Sequence, residues 1–230
     1  MTSNFLLLTS YLLCAALAQS SGLSALESTL GADPENLKVA AEYRQAIIAA
    51  DDYDRAIKLF EGVTKRPGAG PHAFLSLGLA YIDKLPSVGA FRRISLGNSA
   101  TKALTQSIEL EPSDVAYLVR GLINLHFERG PFHRTPDGVA DLENALRLAA
   151  PHRDRPYVAR IYAALGDGYW RLKNPVKARE LWRDGQTRFP GNDRLRSRLA
   201  ASDALVSETI AKELDAGVRV DTSLKDVPGD

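Results

Sequence analysis

The stretch that most limits what this chain can fold into is 159–192. Rings, small residues and a proline fall there at fixed intervals: Tyr162, Leu165, Gly166, Tyr169, Ala178, Trp182, Gly185 and Pro190. Tyr162, Leu165 and Tyr169 are three and four residues apart, the spacing that puts side chains on one face of an α-helix. Ala178 and Trp182 share a face of a second helix. Asn174-Pro175 separates the two, because proline is tolerated in the first turn of a helix and not in its interior. Gly166 and Ala178 are small enough to let the two helices approach closely, and Pro190 closes the unit.

The same intervals recur upstream. Phe74, Leu77, Gly78 and Tyr81 match Tyr162, Leu165, Gly166 and Tyr169 step for step, and Ala100, Leu104, Ser107 and Pro112 follow. After the helix start at Ser113-Asp114, Tyr117, Gly121 and Asn124 fall at the ring, glycine and ring positions, with Arg120 in place of the leucine. Gly138, Leu142 and Ala145 come next, and Pro151 arrives one residue late. At the front, Asp33-Pro34-Glu35 predicts a helix capped by Asp33. Leu37, Ala40, Ala41, Tyr43, Ile47 and Ile48 form its apolar face, and Ala56, Phe60 and Val63 repeat the interval of Ala178, Trp182 and Gly185.

This order of ring, Leu-Gly, ring, Ala, ring, small residue and Pro resembles the tetratricopeptide repeat, a helix–turn–helix of about 34 residues. The resemblance implies an all-α fold, a right-handed α-solenoid of helix pairs at 34–67, 71–112, 114–151 and 159–192. Leu195, Leu199, Val206, Ile210 and Leu214 predict one long amphipathic helix over 193–216 that caps the array. Residues 19–33 read as a linker or weak helix, and 217–230 as a polar, flexible tail.

The second and third units are longer than the repeat allows. About ten extra residues lie between Leu85 and Leu96, and a shorter insertion runs from Glu128 to Pro136. An insertion inside a repeat is expected to project from the stack as a loop. Because both occupy the same place in successive repeats, they should lie side by side on one edge. Arg92, Arg93, Arg129, His133 and Arg134 would then be neighbours, with Phe91 and Phe132 among them. Two readings stand: insertions that are merely tolerated, or a contact surface.

Met1 to Ala18 carries no charged side chain, and Ala16-Leu17-Ala18 has the small-x-small form of a secretory cleavage site. Residues 1–18 thus read as a signal peptide, with Gln19 first in the mature chain. The apolar run falls short of the ~20 residues a spanning helix needs, and no transmembrane span is expected in the mature chain. The expected address is periplasmic or secreted. Cys14, the only cysteine, lies in the segment to be removed, so no thiol chemistry is expected of the mature form. A net charge of +1 gives no basic field to attract nucleic acid. Nucleotide-binding, hydrolase and zinc motifs are absent from the sequence. The aspartates at 51, 52 and 54 lack the spacing of a calcium loop. The expectation is a non-enzyme without cofactor or metal, whose partner is a protein or peptide. The sequence does not give its oligomeric state.

In proteins this sequence resembles, the first helix of each repeat lines a concave groove that holds a peptide or a partner helix. Carrying the helix phase over names Gln45 and Ile48, then Leu75, Leu79 and Ile82, then Leu118, Leu122 and Leu125, then Arg160, Asp167, Trp170 and Arg171. Trp and Arg are the types that most often dominate binding energy. For the leucines, packing against neighbouring helices is the competing reading. The carboxylate clamp of chaperone-docking tetratricopeptide domains has no counterpart, since Ala41, Gln45, Ser76, Val115 and Val119 stand in those places. Two functions fit: an exported scaffold that binds a peptide or protein segment, in assembly or maturation of an envelope complex, or a ligand-handling subunit of a solute transport system. An enzyme would rest on His126 and His133 with nearby acids.

Overall fold

Caps and prolines set where the helices begin. Asn36, Ser113, Asn174, Asn192 and Ser202 each accept a hydrogen bond from a backbone N–H in the first turn that follows, and Pro71, Pro156 and Pro175 open their helices. The computed structural model describes residues 21–127, 133–215, 218–220 and 222, and all regular structure among them is helical. The helices are α1 (21–32), α2 (Leu37–Ala50), α3 (Tyr53–Thr64), α4 (Pro71–Lys84), α5 (Ala90–Leu110), α6 (Asp114–His126), α7 (Thr135–Leu148), α8 (Pro156–Arg171), α9 (Pro175–Arg188), α10 (Asp193–Ala200) and α11 (Asp203–Glu213). The predicted signal peptide, Cys14 included, lies outside the described residues.

Successive helices pair and stack, α4 on α5, α6 on α7 and α8 on α9, with α3 against α4, α5 against α6 and α7 against α8. The fold is the expected all-α solenoid. Three glycines set how close the paired helices come. A Cβ on Gly78 would sit 2.7 Å from Leu104, one on Gly121 2.7 Å from Leu142, and one on Gly166 2.2 Å from the Trp182 indole. Each missing side chain is the slot for a large residue of the partner helix. The core runs continuously from α4 to α11, and a second cluster joins Leu23 and Leu30 of α1 to Tyr43, Phe60 and their neighbours in α2 and α3.

Four expectations are corrected. Residues 21–32 are not a linker: α1 is packed, Leu30 is fully buried, and Glu27 accepts hydrogen bonds from Arg55 and Tyr43. Asp33 does not cap the helix that follows; Asn36 does, and the Glu35 carboxylate instead accepts from the backbone N–H groups of His72 and Ala73 at the start of α4. The insertion at 85–96 is not a projecting loop. It forms a short 3-10 turn (Leu85–Ser87) and then the first turns of a lengthened α5. The C-terminal stripe is not one helix, because the chain breaks at Ala201-Ser202 and Ser202 caps α11.

The departures in the third unit are one feature. Arg120 donates to both carboxylate oxygens of Asp141, at 2.9 and 2.7 Å, and Asn124 donates to the same carboxylate at 3.2 Å. The leucine and ring of the other units are replaced together by two donors for one buried acid.

Two outcomes follow from this packing. Gly121→Ala would push a methyl into Leu142 and the Gly138 carbonyl oxygen, 3.0 Å away; urea unfolding should show a loss of about 1–3 kcal/mol. The hydrogen bond from Arg55, with a smaller one from Tyr43, outweighs burial and holds the Glu27 carboxyl below its ordinary 4.5. A depressed native pKa stabilises fully above the unfolded value, and that contribution is lost as pH falls through the native one. Glu27→Gln should flatten the acid side of the stability profile below 4.5, read as melting temperature against pH.

Candidate functional site

The first helices of the four units, α2, α4, α6 and α8, carry the residues that meet across the inner face of the stack. Arg44 of α2 and Asp83 of α4 are both buried, at 1% and 3% exposure, in a setting where an unpaired charge would be costly. Arg44 Nε donates to Asp83 Oδ2 at 2.8 Å. The pair faces a piece of the same chain. Thr222, itself buried, donates its hydroxyl to Asp83 Oδ1, and its carbonyl oxygen accepts from Arg44 Nη1 and Nη2 at 3.4 and 3.3 Å. Arg219 lies over the Tyr53 ring at 5.7 Å, donates to the Tyr53 hydroxyl at 2.8 Å and to the Asp83 carbonyl oxygen at 3.3 Å. Val220 is buried beside them. The expected flexible tail is, at 218–220 and 222, a segment seated on the inner helices.

Behind this segment is a cavity of about 280 Å³, lined by Leu122 and His126 of α6, Arg160 of α8, Arg194 of α10, and Glu213, Leu214, Val218, Arg219 and Val220 of the returning chain. His126 Nδ1–H donates to the Leu122 carbonyl oxygen at 2.8 Å. Burial, and then the guanidinium groups of Arg171 and Arg194, hold its imidazole below the ordinary value of 6.5. It is a neutral packing group at neutral pH. Among the described residues, no cluster of His, Cys, Asp or Glu is arranged to hold a metal ion.

The groove residues expected from sequence divide. Leu122 and Arg160 face the cavity. Ile82 and Leu125 do not line an open surface: at 1% and 0% exposure they are core, and Leu75, 1% exposed, lies in the wall of a separate pocket beside His72, Asp114 and Tyr157. The inward residues of α4 and α6 are instead the next ones along, Asp83 and His126, one helical step of about 100° away. Asp167, Trp170 and Arg171 hold the end of the array together. Asp167 is fully buried and takes Arg198 through both oxygens, at 2.9 and 3.1 Å, and Arg194 at 2.9 Å. Glu213 of α11 joins the same two arginines. Trp170 stacks on Trp182 at 5.7 Å and donates to Ser207 of α11 at 3.0 Å. Arg171 donates to the Leu125 carbonyl oxygen. These residue types were expected to bind a partner; they bind the chain's own helices.

On the outer edge, Phe91 is 92% exposed in the first turn of α5, Arg92 is exposed beside it, and Arg93 donates to the Leu85 carbonyl oxygen at 3.1 Å. Arg129 and Phe132 lie outside the described residues. His133 is exposed, and Arg134 donates to Asn98 of α5 at 2.8 Å, so the described end of the second insertion does lie against the element built from the first. Arg44, Tyr53 and Asp83 were not found from sequence. The available signal is the run 75–82 of α4, uncharged throughout and closed by Asp83, whereas Arg44 of α2 stands among other charges, Lys38 and Glu42.

This geometry defines a class: an all-helical repeat array whose inner face carries an arginine bound to main chain. A solved structure with the same architecture is TTC0263, a thermophilic tetratricopeptide-repeat protein of Thermus thermophilus. The two share 18% identity and superpose with a TM-score of 0.58, over 83% of this chain and 93% of that one. The chain thus has the tetratricopeptide-repeat fold. No protein-family profile and no curated protein matches the sequence. Among the described residues no helix is long and apolar enough to cross a membrane.

Removing Asp167 leaves the buried Arg198 and the part-exposed Arg194 with Glu213 as their shared carboxylate. Asp167→Ala should cost about 1–3 kcal/mol and raise amide exchange across 193–213 before the rest of the array, which hydrogen-exchange mass spectrometry reads directly.

Proposed function

We propose that the chain is an exported scaffold that binds an extended protein segment along its inner face. The observation that carries this reading is the Arg44–Asp83 pair and what it holds. Arg44 donates to a main-chain carbonyl, which any sequence offers, while Asp83 and the Tyr53 ring take a hydroxyl and a guanidinium, which only some sequences offer. Such a site grips backbone for affinity and selects side chains for specificity. The alternative, a solute-handling subunit, is less favoured. Small-molecule sites run to about 300–1,000 Å³, whereas the inner cavity is near 280 Å³ and the chain's own Val218, Arg219 and Val220 form part of its wall.

Export rests on the apolar run and Ala16-Leu17-Ala18 at the N-terminus, and a role in assembling or maturing an envelope complex rests on export. The test of the binding reading is a display selection of random peptides on the full chain, followed by hydrogen exchange of each selected complex. Protection of α2, α4 and α6 is the expected result. Protection confined to α5 and α7, or no selectable peptide, would overturn it.

A further inference from the structure

We infer that the segment carrying Arg219 and Thr222 is an internal stand-in for the partner, and that the partner is an extended segment with an arginine and, three residues on, a serine or threonine. This rests on the binding reading above and adds to it the chemistry of the ligand and a competitor built into the chain.

The two carboxylate oxygens of Asp83 are divided between two tasks. Oδ2 is taken by Arg44 Nε, and Oδ1 by the Thr222 hydroxyl. A valine at that position would fill the same volume and leave a buried acceptor without its donor, the arrangement that discriminates most strongly between near-isosteres. The arginine three residues earlier is read twice, by the Tyr53 ring and by the hydroxyl and carbonyl oxygens at its edge.

The hold is of the kind that gives way. Arg219 and Val218 are solvent-exposed while Val220 and Thr222 are buried, so among the described residues the segment is seated by two buried side chains and a few hydrogen bonds. Tethering makes that enough. A segment on a short linker acts at an effective concentration of about a millimolar, and an incoming ligand binds only the fraction of molecules whose site is open. The inner face is thereby closed to weak ligands and open to those that reproduce the arginine and the hydroxyl with further contacts of their own.

The experiment uses the full chain, wild type and the double variant Arg219→Ala/Thr222→Ala, with Thr222→Val as a second, shape-preserving variant should the double one lose its native circular dichroism. A fluorescent peptide copying 216–225 is titrated by anisotropy, alongside a peptide with valine at the position of Thr222. The expected result is binding to the released variants at least about tenfold tighter than to wild type, and loss of about tenfold for the valine peptide. Equal binding to wild type and variants means that the segment does not obstruct the site, and overturns the inference. So does a peptide that binds no form of the protein while display-selected peptides still protect the inner helices; the binding reading then survives. If neither kind of peptide protects the inner helices, both readings fall.

Discussion

Everything in this fold depends on how near the paired helices can come. At Gly78, Gly121 and Gly166 the absence of a Cβ admits Leu104, Leu142 and Trp182 to within contact of the facing helix backbone. That close approach puts the first helix of each pair at a fixed spacing from the next, which in turn brings α2, α4, α6 and α8 to one face. A wider spacing would carry Arg44 and Asp83 out of hydrogen-bond range, since their 2.8 Å contact spans two units. The pairing of Arg44 with Asp83 on the inner face is therefore a consequence of missing side chains at the helix crossings.

Superposed on this apolar framework is a series of buried ion pairs along the array: Arg44–Asp83, Arg120–Asp141 and Asp167 with Arg194 and Arg198. Buried pairs contribute little net stability over apolar contacts of the same size, and are strongly unfavourable when mispaired. In a repeat protein, where neighbouring units have similar apolar faces, that asymmetry fixes order. α7 fits Arg120 because it brings Asp141, and α10 fits Asp167 because it brings Arg194 and Arg198.

The repeat pattern was legible because it is local: rings, glycines and prolines at helical intervals report on helices and on the crossings between them. Gly166 and Trp182 could be read as members of one helix pair from spacing alone. What was not legible depends on long-range geometry. Ile82 and Asp83 differ by one step around the helix, and periodicity cannot tell which of two adjacent residues faces inward once apolar residues cover both the core and the groove side. Trp170 and Asp167 carried the right chemistry for recognition, but their partners are Ser207, Arg194 and Arg198, which lie on helices read as a single cap. The break at Ser202 was missed because Leu199 and Val206 keep the helical interval across it. The seat of Thr222, 178 residues from Arg44, has no local signal at all.

That seat has a mechanical consequence. A stack of helix pairs flexes by small rotations between units, which add along its length. The chain leaves the far end at α11 and is tied to α2, α3 and α4 by Thr222 and Arg219, drawing a chord across the arc. While the chord holds, the curvature of the whole row is fixed by a handful of hydrogen bonds at one end. Let it go, and the same row becomes a spring.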